Sequence, residues 1–121
     1  EPAGRRLPLL FDDEPSWAWE PRLEIEFSGA IWYWRGPSPF YFVTVPPPQA
    51  AELQAVAQAV TYGWGMIPVV ATIGQTTWTT SLFPKDATYI TPLKDKVRRA
   101  EGLDTGEVVT IRLAVAPRGS R

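Results

Sequence analysis

Thirteen prolines and nine glycines punctuate this chain of 121 residues. A proline inside a helix removes a hydrogen bond and clashes with the preceding turn, so punctuation this dense favours short elements and sharp turns over a helical bundle. The prolines fall where other patterns change. Pro2, Pro8, Pro15 and Pro21 break every candidate element near the start, which reads as an extended arm over residues 1–21. Leu9, Leu10, Phe11, Trp17 and Trp19 equip that arm to dock on the body or on a second copy, in a homodimer.

Between the prolines, the spacing of apolar residues predicts the elements. From Arg22 to Trp34, Leu23, Ile25, Phe27, Ile31 and Tyr33 alternate with Glu24, Glu26 and Ser28, the period of a half-buried strand. Gly29 marks a bulge or a close backbone approach. Trp32 and Trp34 fall on the polar side, so either the register flips or that face is covered. Arg35–Pro39 is a turn, and Phe40–Val45 is apolar on both faces, as in a buried strand. Pro46, Pro47 and Pro48 end it and suit a first helical turn. Leu53, Val56, Ala57 and Val60 then make one helical stripe, with Gly63 as the stop.

The second half is read in the same way. Ile67, Val69, Ala71 and Ile73 alternate up to a two-residue hairpin loop, Gly74-Gln75. Pairing across it sets Ile73 opposite Thr76, Ala71 opposite Trp78, Val69 opposite Thr80 and Ile67 opposite Leu82. The other face carries a row of hydroxyls, Thr72, Thr77, Thr79 and Ser81, expected as a neutral polar surface. After the turn at Phe83–Asp86, Tyr89–Thr91 is a short extended piece. Leu93, Val97 and Ala100 form the buried stripe of a second helix, which Gly102 caps and onto which Leu103 folds back. Val109, Ile111, Leu113 and Val115 face one way along a last strand, and residues 117–121 form a tail. The expected fold is mainly β with two short helices, in one domain over residues 22–116.

Composition supports a packed domain: 45% of the residues are hydrophobic and 12% aromatic, with six Trp. A chain of this length buries roughly two thirds of its unfolded surface and needs neither disulfide nor metal. Cysteine and histidine are absent. Thiol nucleophiles, imidazole bases and zinc sites of Cys and His are therefore excluded, and no metal or cofactor is expected. No apolar run reaches membrane-spanning length, and the start shows no signal-peptide zones, so the expected compartment is the cytoplasm.

Charge is uneven. Residues 1–83 hold four basic and eight acidic groups, and residues 84–121 hold eight and five. Between Gly36 and Pro84 the single charged side chain is Glu52. That neutral middle points to a non-catalytic site for a small molecule or protein partner, lined by Tyr41, Trp64, Trp78, Ser81 and Lys85. The alternative is a nucleic-acid interface built on Lys85, Lys94 and Arg98. A net charge of −1 weighs against it, because such binding rests on many phosphate contacts. Positive charge at the end of the second helix also has a local use against the helix dipole. The acid–base groups left for an enzyme are the pairs Glu24/Glu26 and Lys85/Asp86, and Ser81 lacks a histidine.

Two resemblances extend these readings. The pattern Pro-x4-Val-Arg-x3-Gly-Leu-x2-Gly-Glu-x-Val-x-Ile-x-Leu, from Pro92 to Leu113, resembles the hairpin of the AbrB/MazE swapped-hairpin group of DNA-binding regulators and antitoxins. The segments FSGAIWYWRGPSPFYFVTVP, YGWGMIPVVATIGQTTWTTSLFPKD and PLKDKVRRAEGLDTGEVVTIRL together resemble a bacterial domain family of unknown function. Its members are small double-split β-barrels, some fused to a bacteriocin-protection (OmpD-associated-like) domain. The resemblance covers residues 23–115 and implies a barrel capped at both ends by a helix. The residues themselves hint at duplication. A strand running into proline and then a helix occurs twice, at Phe42–Pro46 and at Tyr89–Pro92.

Overall fold

A computed structural model describes residues 23–60 and 65–115, the side chains of 58–60 excepted. The expected arm, the connector residue Trp64 and the tail at 117–121 lie outside the described residues. Within them the elements run β1 (Glu24–Trp34), β2 (Phe40–Thr44), α1 (Pro47–Val60), β3 (Ile67–Ile73), β4 (Thr76–Lys85), β5 (Thr88–Leu93), α2 (Asp95–Glu101) and β6 (Val108–Val115). None of these helices is long and apolar enough to cross a membrane.

Every ladder is antiparallel, and the strands close into a barrel in the order β1-β2-β5-β4-β3-β6. Two strands are split between neighbours. β1 pairs with β6 from Glu24 to Ala30 and with β2 from Ile31 to Trp34. β4 pairs with β3 from Thr76 to Leu82 and with β5 from Phe83 to Lys85. The double-split barrel expected from the sequence is the fold observed. Exchanging β1-β2-α1-β3 for β4-β5-α2-β6 leaves every strand pairing unchanged. The duplication hinted at by the two strand–helix passages is therefore present in the topology.

Gly29 permits the hand-over in β1. It stays in register opposite Val109, so it is no bulge. A Cβ there would lie 3.0 Å from Val43 Cγ1 and 3.3 Å from the Thr44 carbonyl, and its absence lets β2 approach. The pairs expected across Gly74-Gln75 all form. Trp78, Leu82, Ile67, Val69 and Ala71 from that ribbon meet Ile31, Val43, Ile111 and Leu113 in one buried cluster. α1 adds Ala50 and Leu53 to it, and α2 adds Val97. Gly102 ends α2 in the left-handed conformation (φ 66°), and the Leu103 N–H donates back to the Arg98 carbonyl at 2.9 Å.

Three expectations are corrected. Pro84 and Pro92 do not end strands: β4 runs through Pro84 to Lys85 and β5 through Pro92 to Leu93. Proline's φ suits an extended strand, and its cost is one missing donor. Because β5 is longer, α2 begins only at Asp95, Leu93 belongs to the strand, and Ala100 is exposed rather than buried. The hydroxyl row is also less open than expected. Thr77 is fully buried, and its hydroxyl shares a 2.9 Å hydrogen bond with that of Thr72 across the ladder.

The β4–β5 turn is Asp86-Ala87, with φ of 50° and 65°. Two positive φ values in a row are what a tight hairpin with native twist demands, and alanine adopts them at a cost. Ala87→Gly is expected to raise stability by up to about 1 kcal/mol, read as a higher urea midpoint at unchanged slope. Burial also holds the Tyr89 phenol above its ordinary value. The unfolded chain ionises this group near pH 10 and the folded chain resists, so stability is complete below that pH and falls above it. Alkaline unfolding profiles should be shallower for Tyr89→Phe.

Candidate ligand-binding groove

Trp32 and Trp34 keep the phase of β1. Ile31 opposite Val43 continues the inward row, and Tyr33, though 36% exposed, pairs with Tyr41 on that same side, so both tryptophans stand on the outer face. There they meet Phe40 and Phe42, the outward residues of β2. That strand is apolar on both sides because one side lines the core and the other lines an external groove of about 730 Å³. Such a volume is typical of ligand sites. Ile90 and Pro92 of β5 continue its floor, Phe83, Pro84 and Lys85 of β4 form the far wall, and Met66 and Ser81 border it.

The rings are held in defined positions. Trp32 packs against Phe42 at 5.2 Å between centroids, and its Nε1–H donates to Thr44 Oγ1 at 2.9 Å. Phe40 and Phe42 meet edge-to-face at 5.7 Å. The Trp34 ring lies so close to Gly36 that any side chain at position 36 would displace it. Trp34 is nevertheless 45% exposed and Phe83 40%, large apolar surfaces left to water on one face of the barrel.

Of the residues expected to form a site, Ser81 and Lys85 do line this groove. Lys85 Nζ lies 3.5 Å from Asp86 Oδ2 at the exposed turn. Tyr41 and Trp78 do not line it. Trp78 is wholly buried in the barrel, where its indole N–H has no hydrogen-bond partner among the described residues. Tyr41 faces inward against the core, in a row that runs Arg35, Tyr33, Tyr41, Arg98. Arg35 stands 5.7 Å over Tyr33, the two tyrosine rings are 4.6 Å apart, and Arg98 stands 3.7 Å over Tyr41. Trp64 lies outside the described residues. The groove-forming residues that sequence reasoning missed are Trp32, Trp34, Phe40, Phe42, Phe83 and Pro92. Their signal was visible as the break in polar alternation at Trp32 and the two-sided apolarity of FYF.

The cationic trio Lys85, Lys94 and Arg98 has different local roles. Arg98 also binds Asp95 Oδ1 at 3.2 Å and the Leu103 carbonyl at 3.3 Å, so it joins α2 to the turn after it and to β2. Lys94 is the N-cap residue of α2 rather than a flank of the helix. Of the acid–base pairs, Glu26 is bridged to Arg112 at 3.5 Å across the β1–β6 ladder, on the other side of the barrel, where β3, β4, β6 and the first half of β1 form the other sheet. Among the described residues no three His, Cys, Asp or Glu side chains cluster as metal ligands would.

The family described as Domain of unknown function (DUF1905) matches residues 27–113, from Phe27, the fourth residue of β1 paired with β6, to Leu113 within β6. The chain belongs to the DUF1905 family. No curated protein matches it. The DUF1905 match takes in β1 from Phe27 onward, the whole of β4, both helices and every groove residue named above.

If Arg98 serves the fold, removing it costs packing as well as charge. Arg98→Ala is expected to lower stability by about 1–2 kcal/mol, whereas Lys85→Ala at the exposed turn stays within roughly 0.5 kcal/mol. Urea denaturation of both variants checks this.

Proposed function

We propose that this DUF1905 chain is a non-catalytic binding module, and that the outer groove over β1, β2, β5 and β4 is its site. One observation supports this reading above the others: Trp34 and Phe83 leave two fifths or more of their surface exposed on opposite walls of a groove of about 730 Å³ floored by further rings. A protein with no use for that face loses solubility by keeping it apolar. The lining suits a peptide segment or small molecule with aromatic or proline rings. Flat indole and phenyl faces stack on such rings, and Ser81 and Lys85 supply polar anchors at the border.

Catalysis has little to work with along these walls, whose ionisable member among the described residues is Lys85. The bound group is held by ring contacts, and specificity comes from the spacing of the two walls.

N-acetyl-tryptophanamide and a short proline-rich peptide are suitable probes, followed by amide and indole shifts in heteronuclear NMR. Saturable shifts are expected on the Trp32 and Trp34 indoles, with the Trp78 indole unmoved. Trp34→Ala should weaken binding about tenfold, the worth of one ring contact of roughly 1–1.5 kcal/mol, at an unchanged urea midpoint. Shifts spread evenly over the surface, or none at Trp34, would reject the groove as the site.

A further inference from the structure

The groove begins close to the point where the chain enters the barrel. The Leu23 carbonyl accepts a hydrogen bond from the Val115 N–H at 2.8 Å, and Val115 pairs with Val69 of β3. Three residues before Val69 is Met66, on the groove border. Two ladder spacings and three strand rises separate Leu23 from that border, roughly 20 Å over the surface. Trp17 lies six residues before Leu23 and, at ~3.3 Å per extended residue, just reaches it. Leu10 and Phe11 lie twelve or more residues before Leu23 and reach well beyond, to the Trp34 end.

The segment that spans this distance reads PLLFDDEPSWAW, from Pro8 to Trp19. It carries the ring and apolar side chains that the groove lining suits. Its two prolines reduce the entropy lost when it lies extended along a surface. Its charged residues, Asp12, Asp13 and Glu14, are all acidic, and the charged side chain lining the groove is Lys85.

We infer that residues 8–19 of the chain's own N-terminal segment occupy the groove in cis, Trp17 toward Met66 and Ser81, Leu10 and Phe11 toward Trp32 and Trp34. This rests on the groove being a ligand site. An outside ligand then binds by displacing the segment, so its apparent affinity is set by a competition within the chain.

The absence of native cysteine makes disulfide trapping a direct test in the full chain. Asp12→Cys is combined with Ser38→Cys at the Trp34 end of the groove, or with Thr110→Cys on the exposed outer face of the other sheet. Thr110 is only five residues along β6 from Val115, so an unseated segment meets it more readily than Ser38. Dilute protein should form the intrachain Ser38 cross-link at least tenfold faster than the Thr110 one. Adding Leu10→Asp and Phe11→Asp should abolish that preference while tightening binding of N-acetyl-tryptophanamide. Equal rates, faster trapping at Thr110, or cross-links between two chains only would overturn self-occupancy. If in that case N-acetyl-tryptophanamide still shifts the Trp34 indole, the groove remains a ligand site. If it does not, both readings fall.

Discussion

The closure of the ring depends on two strands that each serve two neighbours. A six-stranded sheet left open would present two rows of unpaired backbone groups. Here β1 and β4 each change partner part-way along, and the last gap is shut by β6 lying between β1 and β3. The change requires backbone to come close to backbone at one point. Gly29 supplies that in β1, where a methyl group would already press on Val43. In β4 the change falls between Leu82 and Phe83, next to Pro84, a residue that asks for one ladder hydrogen bond fewer.

The same arrangement makes the groove. The second halves of the split strands sit on either side of β2 and β5, so the outward residues of four strand segments share one face. That face lies across the exchange of the two halves. Trp32 and Trp34 come from the second half of β1, and Phe83 and Lys85 from the second half of β4. The inner face of these segments packs the barrel through Ile31, Val43, Tyr89 and Leu93. Building the barrel and building the groove are thus two uses of one alternation, with opposite parity. The other sheet turns polar side chains outward in the corresponding places. There Ser28 and Thr110 share a hydrogen bond at 2.8 Å, and Glu26 meets Arg112.

Elements with one buried face and one wet face were legible in the chain. The ribbon around Gly74-Gln75 has strict alternation and a two-residue loop, and its register was predictable pair by pair. α2 was harder to delimit, since an extended Leu93 and a helical Leu93 satisfy the same apolar pattern. Only the ladder from Phe42 to Pro92 decides between them. Trp78 and Trp34 show where residue type gives no guidance. Both are tryptophans within strands, yet one is the largest side chain in the core and the other is 45% exposed. Parity along the strand separates them, and parity is counted from a register that neighbours establish.

By itself the sequence determined the local terms: where helices and strands can run, which glycines turn the chain, and which chemistry is absent for want of Cys and His. Those follow from backbone sterics and side-chain type, which act over a few residues. The tertiary structure alone decided that the outward rings of β1 and β2 face Phe83 across a groove, and that Arg98 is tied to Tyr41. These contacts join residues forty or more positions apart, and their geometry exists only once the ring has closed.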